Sequence, residues 1–81
     1  MEYDIDRIDE ATLALLFMGL HDREEGLGAR AWKGFDWETM NRLHEKGFIS
    51  DPKSKAKSVR LTETGCHEAE RLFWKLFGKP E

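Results

Sequence analysis

A small, mainly α domain with three main helices and one β-hairpin is what this sequence predicts, and three observations predict it. Cys66, Ala69, Leu72, Phe73, Leu76 and Phe77 recur at helical spacing before Gly78 and Pro80, which end a helix and prevent its resumption. Residues 36–47 carry a start signal and a stop signal for a shorter helix. Between these two helices the period changes to two, on either side of a tip holding Lys53, Lys55 and Lys57. At 81 residues the chain reads as a single domain, 1–81, near the size where one core is only marginally sufficient.

Taken in order, the first helix opens with Asp6, Asp9 and Glu10, acids that the helix dipole favours in its first turns. Ile5, Ile8, Ala11, Leu15 and Leu16 form its apolar stripe, which broadens to Leu13, Ala14, Phe17 and Leu20. Such a helix is buried on more than one side, against the other helices or a second copy of the chain. In residues 21–35, HDREEGLGARAWKGF, the three glycines Gly26, Gly28 and Gly34 leave space for a turn or two of helix around 27–33. Trp32 and Trp37 flank this segment and are expected to pin it to the core; exposed, they would instead mark a partner surface.

Asp36 is a good N-cap for the second helix, and Phe35 and Met40 are placed for a hydrophobic staple across it. Trp37, Met40 and Leu43 mark the buried face, leaving Glu38, Asn41, Arg42 and Glu45 outward. Gly47 suits the left-handed stop, with Phe48 folding back toward Leu43. Phe48 and Ile49 then begin a strand, Asp51 and Pro52 break it, and Val59 and Leu61 alternate with Ser58 and Arg60 in the return strand. Thr62 caps the last helix, and Trp74 lies off the centre of its stripe, where it covers a loop or joins a dimer interface.

That order of elements is a winged-helix-like plan with an abbreviated helix-turn-helix and a two-stranded wing. The run LHEKGFIS, the basic hairpin and RLTETG resemble the signature of MarR- and PadR-type winged-helix transcriptional regulators over roughly residues 37–66. Nearly the full length, from EYDIDRIDEATLALL through AWKGFDWETMNRLHEKGFISDPKSKAKSV to the end, is similar to a family of small bacterial proteins defined only as a domain of unknown function. The first resemblance implies DNA binding and dimerisation through C-terminal helices. The second implies a family without an activity.

Composition narrows the class. With 40% hydrophobic and 36% charged residues the chain is globular rather than disordered or membrane-embedded. The longest apolar run, 11–20, is far short of a bilayer span, and the opening MEYDIDRIDE has no signal core, so a cytoplasmic location is expected. One cysteine, Cys66, cannot form an internal disulfide. The net charge is −3, but it is segregated: residues 1–28 carry −6 and residues 29–62 carry +4.

Catalysis finds no support. Cys66 and His67 are adjacent, and neighbouring helix residues point about 100° apart. His21, His44 and His67 lack ligand spacing, the carboxylates read as surface charge, and GLGARAWKG lacks the lysine-serine ending of a phosphate loop. No enzyme activity, cofactor, metal, membrane contact or small-molecule ligand is expected. Two function classes remain, and fold alone does not choose between them. In the first, the domain binds double-stranded DNA: Asn41 and Arg42 contact base edges while Lys53, Lys55, Lys57 and Arg60 hold phosphates. In the second, it is a protein-interaction or homodimerisation module using its apolar helices and Trp74, and the lysine-rich tip only protects a sheet edge.

Overall fold

Each helix begins where a side-chain oxygen accepts from an amide one turn ahead. Asp4 accepts from the Arg7 N–H at 3.2 Å and starts α1 (Ile5–Met18). Asp36 accepts from the Thr39 N–H at 3.1 Å and starts α2 (Trp37–Glu45). Thr62 accepts from the Gly65 N–H at 2.9 Å and starts α3 (Glu63–Phe77). These bonds satisfy donors that the helices themselves leave unpaired. The computed structural model describes residues 2–24 and 28–80. Its three strands, β1 (His21–Glu24), β2 (Gly28–Trp32) and β3 (Ser58–Leu61), form one antiparallel sheet in the order β1-β2-β3.

The result is a winged-helix-like arrangement of three helices around a small sheet, and α1 and α3 make the most extensive helix pair. The α2 stop forms as the sequence predicts. Gly47 takes φ 82°, its N–H donates to the His44 carbonyl, and the Phe48 N–H donates to the Leu43 carbonyl. The hairpin also forms: Ile49 bridges Leu61, the Ser50 N–H donates to the Arg60 carbonyl, and the Thr62 N–H donates to the Phe48 carbonyl. Leu13, Leu16, Met40, Leu43, Ile49, Val59, Leu61, Ala69, Leu72 and the small thiol Cys66 fill the core.

Three expectations are corrected. Where a helical turn was expected over 27–33, residues 28–32 are strand β2; Gly26 and Leu27 lie outside the described residues. Ala29 and Ala31 face the core while Arg30 and Trp32 face solvent, a period of two that glycine counting does not detect. Gly28 permits this strand, since a Cβ there would lie 1.8 Å from the Leu61 carbonyl oxygen. No helix therefore precedes α2 in residues 28–36.

The second correction concerns α1. Its buried face runs through Asp9, Thr12, Leu13 and Leu16, whereas Ile5, Ile8 and Leu15 remain partly exposed. The helix is rotated to bury an acid that α2 neutralises. The third concerns the aromatic residues. Trp32 and Trp37 are 61% and 53% exposed, so neither is pinned to the core, and Leu76 and Phe77 at the end of α3 also reach solvent. No helix among the described residues is long and apolar enough to cross a membrane.

Candidate nucleic-acid interface

Turn chemistry and one lysine hold the hairpin tip. The Lys53 N–H donates to the Asp51 carboxylate at 2.9 Å, the Asx turn that lets the chain reverse before buried Pro52. Lys33, just beyond β2, donates from Nζ to the Pro52 carbonyl at 2.8 Å and to the Ser54 carbonyl at 2.6 Å. A cation on two carbonyls makes charge-assisted bonds, which restrain a segment with little regular structure of its own. Lys53, Lys55 and Lys57 project from the restrained tip into solvent.

The open face of the sheet continues this charge. His21, Arg30 and Arg60 are successive cross-strand partners, and Ser50 extends the row by accepting the Arg60 N–H on Oγ at 2.9 Å. Trp32 and Ser58 form the next row on the same face. Arg30, Arg60, Ser50, Ser54 and Ser58 line a groove of about 260 Å³. Arg30 and Arg60 are direct cross-strand neighbours, so their guanidiniums are close enough to converge on one anion.

Arg42 and Asn41 are placed differently from the wing. Arg42 was expected to face outward, but its Nε lies 2.9 and 3.0 Å from the two oxygens of Asp9 and it also donates to the Thr39 hydroxyl at 3.0 Å. Thr39 in turn donates to Asp36 at 2.9 Å, so a continuous network links the α2 cap to α1. Lys46, one turn after Arg42, places Nζ 2.8 Å from the same Asp9 carboxylate. Asp9 is only 1% exposed. Burial by itself raises its pKa, but the bonds and charges of Arg42 and Lys46 outweigh this and hold it below its ordinary value. Asn41 is half-buried on α2, whose exposed neighbours Glu38 and Glu45 are acidic.

These placements sharpen the charge segregation. Arg42 and Lys46 are turned toward Asp9, while Arg30, Lys33, Lys53, Lys55, Lys57 and Arg60 gather on the sheet and wing, a region that also includes the acids Asp22 and Glu24 of β1 and Asp51 of the hairpin. Residues 4–79 match the family described as "Domain of unknown function (DUF6429)". The chain belongs to this family. It is similar to a Sinorhizobium fredii protein titled "Uncharacterized protein y4hR", with 52% identity over 77 residues that cover 95% of this chain and 97% of the relative. No solved structure shows significant similarity to the chain.

Within this member of the family, sequence reasoning missed Arg30, Trp32 and Lys33 as parts of the exposed basic face and Asp9 as a buried acid. The alternation in GARAW was the available signal for the first two. Asp9 stands four and seven residues before Leu13 and Leu16, which places it on their helix face. Trp74 belongs to an aromatic cluster on α1 and α3. Its ring is 5.3 Å from Phe73, which also meets Phe17 at 5.2 Å and Phe77 at 5.6 Å. Among the described residues, no group of three or more His, Cys, Asp or Glu side chains converges on a metal-sized space.

Proposed function

We propose that this domain is a non-enzymatic nucleic-acid-binding module of the cytoplasm, gripping phosphates with its wing and the open face of its sheet. The observation that carries this reading is Lys33. By tying down the Pro52 and Ser54 carbonyls it fixes the backbone from which Lys53, Lys55 and Lys57 project, beside the groove shared by Arg30 and Arg60. Restrained cations lose less freedom on binding than cations on a loose loop. The resemblance of LHEKGFIS and RLTETG to MarR- and PadR-type regulators supports a DNA-directed, regulatory role. Arg42 has no part in this version of the interface, because its guanidinium is engaged by Asp9 and Thr39. Labelled DNA, duplex and single-stranded, titrated at about 50 mM and about 200 mM salt tests it. Binding at low salt that falls steeply at high salt is the expected result; absence of binding to both forms at low salt rejects it.

A second reading is favoured by the exposed apolar side chains near the end of α3. Trp74 is 60% exposed, Leu76 and Phe77 are partly exposed, and Trp74 and Phe77 adjoin the aromatic ring of Phe73. A second copy of the chain covering this patch makes the domain a homodimer, which suits a chain whose own core is small. The melting temperature then rises with protein concentration, and Trp74→Glu abolishes that rise. A monomer mass across the same range removes this reading.

A further inference from the structure

Among the described residues, Trp32 is the largest side chain on the open face of the sheet and the most exposed large apolar residue after Tyr3 and Met18. It occupies the position two residues along β2 from Arg30, on the same side, a separation of about 7 Å along the strand. Its cross-strand partner is Ser58, and the next partners on that side are Arg30 and Arg60. The pyrrole edge of the indole rests on Gly34, where a Cβ would come within 2.1 Å of Nε1. The ring is thereby given a seat while most of its surface stays in water. An indole held in this way on the same sheet face as Arg30 and Arg60, which line a groove with Ser50, Ser54 and Ser58, combines the two elements that single strands require: a cationic track for phosphate and an aromatic face for an unstacked base.

Duplex DNA uses that arrangement poorly, because its bases are already stacked and present only their edges. The helix that would enter a major groove is α2, and it offers Glu38 and Glu45 at its surface while Arg42 is turned inward to Asp9. We infer that the open sheet face is a binding site for single-stranded nucleic acid, with a phosphate between Arg30 and Arg60 and a neighbouring base stacked on Trp32. This deepens the proposed nucleic-acid role and rests on it. The wing lysines supply the sequence-independent attraction, and Trp32 supplies the preference for an unpaired strand. DNA and RNA single strands share this chemistry.

Three labelled probes of equal length decide the matter: oligothymidylate, oligouridylate and a DNA duplex, each titrated by fluorescence anisotropy at about 50 mM salt. Either single strand is expected to bind at least about tenfold more tightly than the duplex. Trp32→Ala should weaken single-strand binding about tenfold or more, the loss typical of a stacking aromatic, and leave duplex binding unchanged. Trp32→Phe should retain most of the affinity. Gly34→Ala, which displaces the indole without deleting it, should fall between wild type and Trp32→Ala. Because Trp32 and Gly34 are not buried, circular dichroism and melting should show all three variants folded. If Trp32→Ala binds single strands as wild type does, or the duplex is preferred, this inference is overturned while the phosphate-binding role stands. If no probe binds, both fall together.

Discussion

Arg42 of α2 closes on Asp9 of α1 through a forked contact, with Nε 2.9 Å from Oδ1 and 3.0 Å from Oδ2 and a terminal nitrogen 2.8 Å from Oδ1. A planar guanidinium suits a carboxylate in this way, and a lysine at the same position would not. The pair has two consequences. It fixes the rotation of α1 against α2, and it withdraws an arginine from the surface of α2.

Removing one partner should therefore cost more than removing both. Arg42→Ala leaves the buried Asp9 carboxylate with Lys46 alone and should destabilise the domain by about 3 kcal/mol in urea unfolding. The double variant Asp9→Leu with Arg42→Met should recover most of that loss, since no buried charge is left without its partner. Equal instability of the single and double variants would show that the network is needed as a whole.

Acid should unfold the domain in part through the same carboxylate. Arg42 and Lys46 overcome the effect of burial and lower the folded-state pKa of Asp9, so its contribution is complete above the unfolded value. That contribution disappears as pH falls from about 4 through the depressed folded value. Urea midpoints measured from neutral pH downward should decline over that window. Asp9→Asn should start less stable at neutral pH and decline less.

The wing makes a prediction that separates charge from stability. Replacing Lys53, Lys55 and Lys57 with Ala should weaken nucleic-acid binding and flatten its logarithmic salt dependence by up to about 3, roughly 1 for each phosphate no longer neutralised. The melting temperature should barely move, because all three side chains are exposed. Lys33→Met should act differently. Hydrogen exchange across residues 51–57 should quicken, because the Pro52 and Ser54 carbonyls lose their shared donor.

Two glycines distinguish packing from backbone strain. A Cβ on Gly65 would lie 2.0 Å from the Phe48 carbonyl oxygen, so Gly65→Ala must push α3 away from the hairpin and should cost about 2–3 kcal/mol. A Cβ on Gly47 meets nothing within 4 Å, and there only the φ of 82° opposes substitution. Gly47→Ala should cost about 1–2 kcal/mol. Chemical denaturation of the two variants in parallel measures the difference.

The glycine and threonine of RLTETG thus have visible structural roles. Thr62 caps α3 and donates to the Gly47 carbonyl at 2.8 Å, while Gly65 allows the first turn of α3 to approach Phe48. Both residues were legible as a cap and a signature. Their contact with the end of α2 was not, because the partners are distant in sequence. The wing lysines were legible as a charge cluster, whereas the seat of Trp32 on Gly34 became visible only once β2 was known to be a strand.

The division follows the range of the forces. From the sequence alone came the boundaries of α2 and α3, the Gly47 stop, β3, the basic tip and the burial of Cys66, since caps, turns and apolar periodicity act within a few residues. Tertiary structure alone decided that Asp9 is buried, that Arg42 turns inward, that 28–32 pair as a strand and that Lys33 restrains the wing. Those outcomes depend on groups 33 residues apart for Asp9 and Arg42 and 21 apart for Lys33 and Ser54. A local pattern can show that a charge exists, but the partner that neutralises it is set by how the helices and sheet pack.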